Sequence, residues 1–291
     1  MKRYPILFLA LLLCILGFGQ QNVSFDQYFT RQTMRVDYFH SGTSTQEHFS
    51  PDRILNDGPW AGSETMLLDG LNRGLYFFTV TDTLTNTLLY SRGFASVFGE
   101  WQSIPEAETN WGTYPESIRI PWPKVPVRLT IEKRDAKNIF APMWSIVIDP
   151  KSRTVNPAVL HSPYKTFAYI ENGKTSNHVD IVILGDGYTE AEMPKFQKDV
   201  ATLADELFTV EPFKSHKSDF NVRAVETPSA TSGVNKPHPG VFNRTPLSMS
   251  YGAFDSERYA LSYDNRTLRD VAASVPYDYM FILINERTYG G

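Results

Sequence analysis

The apolar and polar positions divide this chain into two regimes. Early on, Met34, Val36 and Tyr38 alternate with Arg35 and Asp37, the period-two pattern of a half-buried strand. Leu75 to Val80 and Leu88 to Tyr90 flank the turn-forming stretch Asp82 to Asn86, which predicts a hairpin. Ser117 to Ile120, Val127 to Glu132 and Trp144 to Ile148 read as three more strands. Pro121, Pro123 and Pro126 exclude helix there and favour edge or crossover positions. Residues 22–150 therefore read as an all-β sandwich domain. Residues 151–177 carry the turn formers of DPKSRTVNP and ENGKTSN around a short apolar interval, Phe167 to Ile170, and read as a linker.

From residue 178 the period changes. Val179 to Leu184 is a nearly continuous apolar run, expected of a strand covered on both faces. Gly185-Asp186-Gly187 turns the chain, and Thr189 with Glu192 spells a capping box, with Tyr188 placed to staple onto Met193. Met193, Phe196, Val200, Leu203 and Leu207 then recur at helical spacing. Phe220 to Val225 is a second strand, Arg266 to Ser274 a second helix capped by Asp264 or Asn265, and Tyr279 to Ile284 a third buried strand. Strand-helix-strand-helix-strand implies parallel pairing. The fold class is thus an all-β sandwich followed by an incomplete α/β domain over residues 178–291.

Composition narrows the partners. The net charge is −4 with no basic block, so nucleic acid is not expected. Lys2 and Arg3 precede the apolar run Ile6 to Leu16, which is too short to span a membrane, and Gly17-Phe18-Gly19 offers a cleavage site. Residues 1–19 are read as a signal peptide, which makes the protein exported (periplasmic, cell-surface or secreted) with no transmembrane anchor after cleavage. Cys14 is the only cysteine. Leu13 before it does not suit lipoprotein processing, and the mature chain has no disulfide, as fits a bacterial exported protein. The aromatic content is 13%, with all five tryptophans before residue 150, and Trp60, Trp101, Trp111, Trp122 and Trp144 are expected mainly in the core rather than as sugar platforms.

Candidate chemistry is sparse. Ligands of an open α/β sheet bind beyond the carboxyl ends of its strands, which selects Gly185 to Thr189, the loop after Val225 and Asn285 to Gly291. Asp186 is the one carboxylate of the first loop, and its expected role is a turn hydrogen-bonded to backbone N–H groups. The sequence holds no G-x-G-x-x-G, phosphate-binding P-loop or G-x-S-x-G. LGDGYT is similar to the first block of GDSL-type esterases, but Gly187 stands where their serine would be. No H-E-x-x-H occurs, and none of His40, His48, His161, His178, His216 and His238 is paired with another at i, i+4. No catalytic, cofactor-binding or metal-ligating residue is therefore assigned.

Several blocks in order resemble one family. VDIVILGDGYTEAEMPKFQKD, FNVRAVETPS and YDYMFILINERTYGG, with RVDYFHSG, DRILNDGPWAGS, YSRGFASVFGEW and ESIRIPWPKVPVRLTIEKRDA before them, look like the M64 peptidases, also called the IgA-peptidase family. The resemblance implies a secreted zinc metalloendopeptidase acting on protein or peptide, with immunoglobulin as the substrate the family name suggests. It implies an N-terminal β-sandwich ahead of a zincin- or metzincin-like catalytic domain. It also implies that the zinc helix lies beyond Gly291, so that the chain is truncated and inactive by itself and binds no zinc. The alternatives are an exported sandwich that binds glycan or protein and, less favoured, a GDSL-like esterase.

Overall fold

The computed structural model describes residues 23–290; the leader expected over residues 1–19 lies outside them. In chain order the strands are β1 (Phe29–Gly42), β2 (Glu47–Pro59), β3 (Tyr76–Asp82), β4 (Leu88–Phe94), β5 (Gly112–Pro123), β6 (Val127–Arg134), β7 (Phe140–Ile148), β8 (Val155–Val159), β9 (Lys165–Ile170), β10 (Val179–Asp186), β11 (Phe220–Glu226), β12 (Ser250–Tyr251), β13 (Ala260–Leu261) and β14 (Tyr279–Ile284). The two principal helices are α1 (Met193–Leu207) and α2 (Asn265–Ala272).

The first half is a sandwich-like pair of four-stranded sheets, ordered β5-β1-β2-β8 and β4-β3-β6-β7. Alternation places Met34, Val36 and Tyr38 of one sheet in the same core as Tyr76, Phe78, Val80, Leu129 and Ile131 of the other. Full burial of each such side chain is worth about 1.5–3 kcal/mol. Pro121 and Pro123 sit in β5, an edge strand that tolerates the missing N–H groups. Trp60 and Trp101 are buried, Trp122 and Trp144 pack against the core, and Trp111 is 59% exposed. The expected hairpin is β3 and β4, paired antiparallel.

The second half centres on a sheet ordered β14-β10-β11-β9, parallel except for β9. The continuous apolar run becomes central strand β10, with Ile181 and Ile183 packed under α1 and Val182 and Leu184 under α2 and the long loop. Helix α1 is entered through a 3-10 turn, Glu190–Glu192, that carries the expected capping box. Glu192 Oε2 accepts from Thr189 N at 2.9 Å, and the full capping box is present. Asp264 caps α2, accepting from Thr267 N at 3.1 Å.

Three expectations change. Residues 151–177, read as a linker, hold β8, which pairs in parallel with β2, and β9, which pairs with β11. Tyr279 to Ile284 is not a buried strand but the sheet edge, with Tyr279 and Phe281 exposed. Strand β1 is not half-buried, because Arg35 and Asp37 are as covered as the apolar residues between them.

The cause of that last departure is the other half of the molecule. Arg35, Asp37, Arg53, Asp57, Ser117 and Arg119 share the outer face of the first sheet, and α2 lies across it. Arg35 donates to Asp37 Oδ1 at 2.9 Å, to Asp57 Oδ1 at 2.5 Å and to Asp270 of α2. Arg53 reaches Asp270 at 2.9 Å and Asp37 at 2.7 Å. Arg119 binds Asp57 at 2.8 Å and the Tyr277 carbonyl at 2.7 Å, with its guanidinium 3.6 Å above the Tyr277 ring. Burial opposes the charge on Arg35, but Asp57 and Asp37 prevail and raise its pKa above the ordinary value. The halves are thus joined by a buried, cross-paired ionic seam, beside which Tyr114 of β5 packs on Phe254 and Tyr263.

Candidate functional site

The three segments at the carboxyl ends of the parallel strands meet. Thr189 forms a bridge with Ser229, Gly187 O accepts from Gly233 N at 2.8 Å, and Gly187 N donates to Ser229 Oγ at 3.1 Å. Asn285, just past β14, donates from Nδ2 to Gly187 O at 3.1 Å and to Ser232 Oγ at 3.0 Å. Gly187 has a φ of +76°, and a Cβ there would lie 2.8 Å from Gly233 C. Glycine at the position where an esterase of the GDSL type carries its serine is therefore a packing requirement of this turn, which argues against that alternative.

Asp186 is fully buried. Its carboxylate accepts from Thr245 Oγ1 at 2.6 Å, Met249 N at 3.0 Å and Leu247 N at 3.1 Å. Burial nevertheless pushes its pKa up, because among the described residues no cation offsets the desolvation and these neutral donors do so only in part. The side chain pins residues 245–249 across the end of the sheet. The backbone donors that the sequence reading assigned to it exist, but they come from a loop some sixty positions later rather than from the adjacent helix start.

Glu192 serves the same junction. Beyond the capping box it accepts from Ser232 Oγ at 2.9 Å. The Thr189 backbone N–H, more than any other group, draws its pKa down to about 2. Further along the same rim, a cavity of about 490 Å³ opens between the long loop and the segment after β14, lined in part by Lys236, His238, Glu257 and Arg258. Lys236 is salt-bridged to Glu286 at 2.5 Å.

The histidines do not converge. His40 is buried in the sandwich, with Nε2 3.2 Å from Glu47 and Nδ1 3.2 Å from Glu116, and its ring is stacked between Phe49 and Phe98. It stands between the two carboxylates, so the three groups cannot close on one ion. His216 pairs with Asp219 at 2.8 Å, His178 with the Lys174 carbonyl at 2.9 Å, and His238 is exposed in its loop. Among the described residues no group of three His, Cys, Asp or Glu side chains is placed to hold a metal ion. The donors present therefore do not fit a zinc centre, and no step through zinc follows from them. No helix among the described residues is long and apolar enough to cross a membrane.

A second cleft, invisible in the sequence pattern, lies between the halves. It has a volume of about 800 Å³, and its walls include Arg92 and Arg119 from the sandwich and His178, Arg269 and Asp278 from the α/β half. The one available sequence signal was the alternation of charges in β1 and β5, which marks a polar face but not what covers it.

Residues 24–145 match the family model for the peptidase M64 N-terminus, and residues 168–291 match that for IgA peptidase M64. No curated protein matches the chain in sequence.

Proposed function

We propose, from the premise that the chain belongs to the M64 peptidase family, that it supplies the scaffold and substrate-positioning part of an exported bacterial zinc metalloendopeptidase. The observation that carries this reading is the succession of the two family regions along one chain, joined by a seam that fixes one against the other. Peptidase membership makes protein or peptide the substrate class, and immunoglobulin is the first substrate to try. The donor set described above does not support a zinc centre within residues 23–290, and H-E-x-x-H is absent from the sequence. This chain is therefore read as catalytically silent by itself.

The test is incubation of the purified 291-residue chain with immunoglobulin A and with casein, with and without added zinc, beside surface plasmon resonance of the same proteins. Binding without cleavage is expected. Zinc-dependent cleavage overturns the silent reading, and absence of binding overturns the positioning role.

One observation favours a second reading, a glycan-binding sandwich. Trp111 is 59% exposed and stacks on His48 with ring centroids 5.8 Å apart and 14° between planes, a flat aromatic surface of the kind sugars use. Saturable glycan binding lost in Trp111→Ala would establish that reading, and an empty glycan array would remove it.

A further inference from the structure

Arg269 on α2 lines the 800 Å³ interdomain cleft on one side and a smaller cavity of about 270 Å³ on the other. Its partners are fewer than those of the other seam arginines. Arg35 and Arg119 each hold carboxylates, whereas Arg269 makes one long hydrogen bond, from Nη1 to Tyr277 Oη at 3.4 Å. Its Nε is buried with no acceptor among the described residues. Leaving a buried donor unmet costs about 1–3 kcal/mol, more when it is charged, and such a group in a folded protein calls for a missing partner.

The rest of the cleft points to the sign of that partner. Arg92, on the sandwich wall, spends its donors on the carbonyls of Met66, Leu67 and Ser91 and meets no carboxylate. Asp219, the wall's outer acid, is already paired with His216. Asp278 accepts from Asp180 N at 3.0 Å, and burial pushes its pKa up to about 6, so its charge is held less firmly than an ordinary aspartate's. Two guanidinium groups with no carboxylate at salt-bridge distance among the described residues, Arg92 having only Asp69 and Asp278 within Coulombic reach and Arg269 having Asp57, which Arg35 and Arg119 already hold, therefore face a cleft whose volume falls within the roughly 300–1,000 Å³ typical of ligand pockets.

We propose that this cleft binds a carboxylate-bearing ligand, with Arg269 as its principal anchor and Arg92 as the second cation. A guanidinium presents parallel N–H groups that match a carboxylate bidentately, which the tyrosine hydroxyl at 3.4 Å does not. The carboxylate belongs either to a free polycarboxylate or to an acidic side chain of a peptide. Neither source depends on the peptidase reading, because binding alone is measured.

The experiment is isothermal titration of the whole chain with citrate in one arm and with a tri-glutamate peptide, blocked at both ends, in the other. Saturable binding is expected in at least one arm. Citrate alone identifies a free anion, and tighter binding of the peptide identifies an acidic segment. Arg269→Gln is expected to weaken the positive arm at least about tenfold, the loss of roughly one charge-assisted hydrogen bond. Where that variant does not fold, Thr65→Glu adds a negative charge on the exposed wall of the same cleft and is expected to weaken binding by a factor of three or more, about 0.7 kcal/mol at the usual conversion. No saturation with either probe, or equal affinity in the variant tested, overturns the proposal.

Discussion

Asp57 in the interdomain seam and Asp186 at the end of the α/β sheet are both buried, and the molecule treats them in opposite ways. Asp57 is held by two guanidinium groups, from Arg35 and Arg119. Asp186 has only a hydroxyl and backbone N–H groups. A buried acid among cations binds two bodies together and punishes the loss of any one partner, because the remaining charge is stranded. A buried acid among neutral donors organises a loop, and removing its charge leaves backbone donors unmet but strands no ion. The seam is therefore the place where the fold is most exposed to a single substitution.

Arg35→Met breaks the comparison hardest. It removes the guanidinium that Asp37, Asp57 and Asp270 share, leaving three acids to Arg53 and Arg119, and is expected to cost about 3 kcal/mol, read as a lower urea midpoint. A loss below about 1 kcal/mol would mean that the seam is ornamental. Asp186→Asn comes next, at about 1–3 kcal/mol, since the amide turns one acceptor into a donor facing Thr245 Oγ1 and Met249 N. Proteolysis within residues 245–249 should rise with it, and an unchanged digestion pattern would deny the pinning role.

A pH series sharpens the contrast through a third buried ion. The pKa of His40 is raised: burial opposes the charge, but the hydrogen bonds to Glu116 and Glu47 outweigh it. A raised folded pKa contributes stability that is complete below the unfolded value of about 6.5 and is lost as pH rises through the folded value. The wild type should therefore lose stability as pH climbs above about 6.5, and His40→Gln should flatten that slope. Glu47 acts at the other end. Its pKa is lowered to about 2, as the hydrogen bonds from His40 and Lys133 overcome desolvation, so its contribution is lost only as pH falls from about 4.5 toward 2. The smallest effect is expected at the rim of the seam. Arg53 is 28% exposed, and Arg53→Gln should cost under about 1 kcal/mol, diminishing with salt.

The parts of this architecture that sequence reveals are those written locally. The capping box Thr189–Glu192, the cap at Asp264 and the apolar run of β10 are each decided by neighbours within a few residues, and each forms as read. Reading fails where the deciding partner is distant. The charged face of β1 looks solvated until α2 arrives from residue 265 onward. Strand β14 reads as buried because an apolar run has the same pattern at an edge as at the centre. Strands β8 and β9 are short and β8 contains Pro157, and the only local sign of β9, the apolar interval Phe167 to Ile170, is too brief to stand out from linker. At the candidate site, Asp186 is legible as a turn residue, but its partners at 245–249 and the whole Arg269 cleft exist only through tertiary contact.

The placement of β8 and β9 also sets how far the halves can part. Strand β8 ends at Val159 within the sandwich and β9 begins at Lys165 in the other sheet, so the leash between them is only residues 160–164. The six steps from Val159 to Lys165, at about 3.3–3.6 Å each, reach only about 20 Å even when taut. A broken seam therefore closes again as an intramolecular event at the high effective concentration that a short tether imposes, and disrupting the ionic contacts should loosen the two bodies into a hinge without ever setting them free.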